Sequence, residues 1–114
     1  MQGMFHTMNT PPDLDAALAA SHEQPIVIFK HSNNCPFSAR AQEQVANAKH
    51  DLEVYGLVVQ YTKELSAAIA ERLGVEHASP QAIVVHEGEA AAHYWRSEIQ
   101  EDTLKEKVAS LKRS

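Results

Sequence analysis

The chain has a single cysteine, Cys35, in 114 residues. One thiol excludes an intramolecular disulfide, so nothing in the sequence speaks for an oxidising compartment. Long apolar runs are missing too: no stretch approaches the roughly 18 apolar residues of a membrane span. The opening MQGMFHTMNTPPD has neither the basic start nor the apolar core of a signal peptide. A cytoplasmic location is therefore expected. There is no basic run, and the net charge is −5, which argues against nucleic acid or an anionic membrane as partner. The seven histidines form no HxH or HxxxH pair, so no metal site is expected.

What remains is a chain of ordinary globular composition, 44% hydrophobic and 22% charged. Residues 1–9 show no period and are expected to be a flexible N-terminus; residues 10–114 are expected to form one domain. Thr10-Pro11-Pro12-Asp13 reads as a helix start, with Thr as N-cap, Pro at N1 and an acid at N3. Leu14, Ala17, Leu18 and Ser21 then share one helical face, and Pro25 ends the helix. PIVIFK reads as a strand buried on both faces. The spacing of Phe37, Ala41, Gln44, Val45 and Ala48 predicts a helix from Pro36 to about His50.

LEVYGLVVQYT is the next expected strand, and Ser66 is expected to open a helix closed by Gly74 with Val75 as its hydrophobic follower. AIVVHEGEAAAHYW reads as a hairpin turning at Glu87-Gly88. A last helix from about Gln100 to Leu111 carries acids in its first turn and Lys112 and Arg113 at its end. The order predicts an α/β fold with a central mixed four-stranded sheet and helices on both faces.

The chemistry concentrates in KHSNNCPFSA. Proline suits the first helical position, which makes Cys35 the N-cap before Pro36. The N–H groups of Phe37 and Ser38 would then face its sulfur. A thiolate gains from such donors and from the positive helix end. A thiol with the ordinary pKa of about 8.5 is under roughly a tenth ionised at neutral pH, and helix N-termini lower that pKa. The Ser38 hydroxyl adds a further donor where a two-cysteine motif would place its second thiol. His31 either supplies charge to Cys35 or is a partly exposed histidine ending a strand. Lys30 either steers anions or is simply solvated. Asn33 and Asn34 suit a turn. Buried free cysteines are ordinarily inert, but Cys35 follows polar residues at the end of a buried strand, where α/β folds place sites.

FKHSNNCPFS together with SAAIAERLGVEHASPQAIVVHEGE resembles the YtxJ family, the monothiol bacilliredoxins, within the thioredoxin-like superfamily. The shared patterns are HS-x-x-CP-x-S and GV-x-H-x-SPQ, and the likeness runs from about Pro25 to the C-terminus. Asn33 departs from the family, which often has Thr there. The resemblance implies a thioredoxin-like fold, a cis Ser79–Pro80 bond facing the cysteine, and substrate docking on the backbone before Pro80. It implies Cys35 as catalytic nucleophile; Lys30, Asn33 and Asn34 are candidate contacts for the thiol, and which groups grip its carboxylates stays open among Lys30, Arg40 and Lys63. It implies no tightly bound cofactor, bacillithiol as external thiol co-substrate, S-bacillithiolated proteins as partners, and a place among general stress proteins.

Two other readings stand beside it. CPFS differs by one residue from the CGFS of monothiol glutaredoxins, which act with glutathione and in some cases share an iron–sulfur cluster. Pro36 and the missing Gly-Gly turn after Pro80 count against that. The other is a thioredoxin-fold adaptor without turnover. The first strand also lacks the proton-relay aspartate of thioredoxins.

Overall fold

A computed structural model of the chain describes residues 5–32 and 53–112. The expected helix from Pro36 to His50 lies outside the described residues, as do Arg113 and residues 1–4.

The elements follow in the order β1 (Phe5–Thr7), α1 (Pro11–Ala20), β2 (Ile26–His31), β3 (Val54–Val58), α2 (Lys63–Leu73), β4 (Gln81–His86), β5 (Glu89–Trp95) and α3 (Glu101–Lys112). Short 3₁₀ turns span Val59–Tyr61 and Arg96–Glu98. The strands form one mixed sheet in the order β1-β3-β2-β4-β5. β1, β3 and β2 run parallel, while β4 and β5 join antiparallel. Five strands replace the expected four. The extra one is β1, which pairs Phe5 with Val54 and Thr7 with Gly56. Residues 5–9 therefore depart from the expected flexible terminus. Three residues are too few to show a period, and their order comes from β3, nearly fifty positions away. Met8 is buried beside them.

Two cores lie on the two faces of the sheet. One gathers Leu14 and Leu18 of α1, Leu65 and Ile69 of α2, and Ile26 and Ile28 of β2. The other gathers Val27 and Phe29 of β2 with Ile99, Leu104 and Val108 around α3. Alternate residues of β2 thus feed opposite cores, which is why PIVIFK reads as a continuous apolar run. In β5, Ala90 packs on the first core but Ala92 and Tyr94 on the second. Residues two apart normally share a face, and the register shift between Val84 and Val85 is what reverses them.

Local signals explain most boundaries. The Asp13 carboxylate accepts the N–H groups of Asn9 (2.8 Å) and Thr10 (3.1 Å) at the start of α1, and these bonds hold its pKa below the ordinary value. Gly74 closes α2 in the left-handed region (φ 66°), donating to Ala70 O. Glu87 and Gly88 both take positive φ in the hairpin turn. Two boundaries differ from expectation. β3 stops at Val58 and tightens into the 3₁₀ turn, and α2 begins at Lys63 instead of Ser66. The Thr62 Oγ1 donates to Val58 O (2.9 Å), tying the turn to the helix start. Ser66 lies inside α2, buried.

Ser21 joins the two ends of this frame. Its hydroxyl donates to Leu18 O (2.5 Å) and accepts the N–H of Gly88 (2.8 Å), while its carbonyl accepts the N–H of Glu87 (2.9 Å). The hairpin turn is thereby held on the end of α1. Ser21→Ala leaves the Gly88 N–H without that acceptor. A destabilisation of about 1–3 kcal/mol is expected by urea titration, against a much smaller change for Glu71→Ala on the exposed side of α2.

Candidate functional site

Strand β2 delivers two polar residues at its carboxyl end, and they point to opposite faces. Lys30 continues the Ile26–Ile28 face and is wholly buried. Its Nζ donates to Gln81 Oε1 at 3.1 Å, and Gln81 Nε2 donates in turn to Glu76 O at 3.1 Å. Burial lowers the Lys30 pKa to about 8, so the side chain is still mainly cationic at neutral pH. The reading of Lys30 as a solvated, steering lysine, or as a direct contact for a thiol co-substrate, does not fit this placement. Its ammonium donates to Gln81, and the side chain has no exposed surface.

His31 lies on the other face, only 7% exposed. Its ring stacks on Phe29 with centroids 5.1 Å apart and planes 12° from parallel. The Nδ1 is buried without a hydrogen-bond partner. Burial pushes its pKa down, so the imidazole is neutral at neutral pH. It is neither a partly exposed histidine nor a source of positive charge; a neutral ring is instead a potential proton acceptor.

The Ser79–Pro80 bond is cis. Gln81, the next residue, pairs with Lys30 across β2 and β4. Continuing that register places Pro80 level with His31 and Ser79 just beyond the end of β2. Pro80 is buried, and its carbonyl accepts the N–H of Arg96 (3.2 Å). The Ser79 Oγ is buried without a partner. Lys30, His31, Ser79 and Pro80 are thus brought to one end of the sheet. Cys35, Pro36, Phe37, Ser38, Asn33, Asn34 and Arg40 lie outside the described residues; the chain enters that segment directly after His31 and Ser32.

Two depressions flank this end. One of about 140 Å³ lies at the carboxyl ends of the three parallel strands, lined by Thr7, Asn9, His31, Val58 and Thr62 among others. Such crevices are where open α/β sheets accept ligands. The other, of about 380 Å³, is lined by Val59, Gln60, Lys63, Ser66, Ala67 and His77. Lys63 is exposed there, whereas Lys30 lies inside. Among the described residues no three His, Cys, Asp or Glu side chains come together as a metal site. No described helix is long and apolar enough to cross a membrane.

Gln81, in the GVEHASPQ segment, is the partner of Lys30 that the sequence alone does not mark. The available signal was period two in β2: Lys30 falls on the face of Ile26 and Ile28, and a lysine on a core face needs a buried acceptor.

Comparison with solved structures agrees with this architecture. A thioredoxin-fold protein provisionally assigned as an oxidoreductase superposes with a TM-score of 0.78 at 26% identity, covering 90% of this chain and 91% of that one. A thioredoxin variant from Halobacterium salinarum gives 0.72 at 18% identity, over 93% and 88% of the two chains. Thioredoxin from Fasciola hepatica gives 0.66 at 15%, over 92% and 97%. The last two show the fold alone. The family model for the monothiol bacilliredoxin BrxC matches residues 6–104, which includes both ends of the sheet and the KHSNNCPFSA segment. The chain belongs to the monothiol bacilliredoxin BrxC family, and is a thiol–disulfide oxidoreductase built on the thioredoxin fold.

Proposed function

We propose that this oxidoreductase removes bacillithiol from mixed disulfides on proteins, with Cys35 as its nucleophile, in the cytoplasm. The observation that carries the reading is the family match over residues 6–104 in a chain whose one cysteine follows strand β2 by four positions. The Cys35 thiolate attacks the bacillithiol sulfur of the mixed disulfide. The bond between bacillithiol and the target protein breaks, the target sulfur leaves as thiolate and takes a proton, and Cys35 holds bacillithiol by a new disulfide. With no second cysteine in the chain, an external thiolate must attack next. Free bacillithiol fills that role, giving oxidised bacillithiol and returning the Cys35 thiolate. Ser38 cannot take this step, because a hydroxyl does not attack disulfides at useful rates; its hydroxyl is read as a hydrogen-bond donor to the sulfur, alongside the N–H groups of Phe37 and Ser38 that follow Pro36.

The surroundings support this assignment. The stretch before Pro80 is the dock for extended substrate backbone in this reading, because register brings it to the end of β2. Lys63, exposed beside the larger depression, is the described candidate for the carboxylates of the thiol's malate.

One target protein, prepared in S-bacillithiolated and S-glutathionylated forms, tests the choice of thiol. Release of the bacillithiol at least about tenfold faster, in kcat/KM, is expected, a discrimination of ~1.4 kcal/mol. Equal or faster release of glutathione would assign the enzyme to the glutathione-dependent class instead.

A further inference from the structure

Lys30 is unusual for a buried position. It follows Ile26 and Ile28 on one face of β2, all three without exposed surface, and an apolar side chain would fill that place without burying a charge. The lysine makes a specific connection instead. Gln81 uses both ends of its amide: the oxygen accepts from Lys30 Nζ and the nitrogen donates to Glu76 O, each at 3.1 Å. The second bond spans five positions, and His77, Ala78, Ser79 and Pro80 lie inside it. The first bond anchors that loop to the end of β2, across 51 positions of sequence. A charge-assisted bond is about twice as strong as a neutral one, which suits it to anchoring a segment with few backbone partners of its own.

We propose that Lys30 is a positioning residue for the substrate-docking segment, clamping Gln81 and through it the Glu76 carbonyl, so that Ser79 and Pro80 are held beside the end of β2. The inference rests on the reading that this segment docks the substrate. Among the described residues, the groups that interact with the ammonium are Gln81 from β4, which accepts from it, and His77 after α2, which feels its charge; His31 is on the other face of β2. The ammonium's charge also reaches that segment. The His77 imidazole is pushed below its ordinary pKa first by burial and then by the charge of Lys30.

Three variants separate the clamp from a general packing role. Lys30→Met keeps the length and removes the charge and donor. Gln81→Leu keeps the lysine and removes both amide bonds. Lys30→Arg keeps the charge and a donor. Turnover of a mixed-disulfide protein substrate, His77 titration by NMR and amide exchange at residues 77–79 are measured on each folded protein. KM is expected to rise about tenfold in Lys30→Met and Gln81→Leu, with kcat changed by less than about twofold, as for loss of a binding interaction. Amide exchange at His77, Ala78 and Ser79 is expected to accelerate in both. The His77 pKa rises in Lys30→Met and stays low in Gln81→Leu, and Lys30→Arg recovers part of the KM. Parent-like KM and exchange in both Lys30→Met and Gln81→Leu overturn the proposal. If one of these two fails to fold, the other decides alone. Should the parent fail to act on bacillithiol mixed disulfides, the proposed function falls, while the exchange and titration measurements still decide the clamp.

Discussion

Cys35→Ser is expected to reduce the release of bacillithiol from a modified protein to the uncatalysed background, a loss on the order of a thousandfold or more. The size follows from the chemistry of exchange. The attacking group must be a thiolate, and its rate depends on both the ionised fraction and the intrinsic nucleophilicity of sulfur. Serine supplies neither. The chain has no other cysteine to substitute, so the loss cannot be masked by a neighbouring thiol. The parent, treated with a bacillithiolated protein in the absence of free thiol, should carry one bacillithiol on Cys35 by intact mass. Cys35→Ser should carry none. Adduct-free parent protein, or serine variant turning over at the parent rate, would remove Cys35 from the mechanism.

Phe29→Ala is expected to be the most damaging single substitution for stability among the described core residues. Phe29 has no exposed surface and sits in the second core with Ile99, Leu104 and Val108. Truncating a buried phenylalanine costs about 3–5 kcal/mol, for lost burial and the cavity left behind. Domains of this size carry a total of about 5–15 kcal/mol, so a large part of the folded state's margin would go. The consequence extends to the site, because the His31 ring stacks on Phe29. The midpoint of urea unfolding should fall with little change in slope. Tyr61→Ala is the control: that ring is 76% exposed, and a change within about 0.5 kcal/mol is expected. Equal losses in the two variants would mean that the second core does not carry the stability assigned to it.

Much of the frame was legible because short-range chemistry decides it. Thr10-Pro11-Pro12-Asp13 begins a helix by capping, Gly74 ends one by its left-handed backbone, and Glu87-Gly88 turns a hairpin; each signal acts within a few residues. The continuous apolar run of β2 correctly marked a strand with a core on either side. The boundaries at Val58 and Lys63 were less legible. Valine continues a strand pattern by composition, and only the Thr62 hydroxyl on Val58 O shows that the chain has already turned.

By itself the sequence determined that one thiol must act with an external partner, that a strand leads into it, and which family supplies the chemistry. Tertiary structure alone decided that Phe5–Thr7 is a strand, that His31 is buried and neutral, and that Lys30 lies inside, tied to Gln81. The physical reason is range. Caps, turns and periodicity are local and can be read along the chain. The state of a polar side chain at a strand end depends on what a segment 51 positions away places against it, and only the folded sheet brings that acceptor within 3.1 Å.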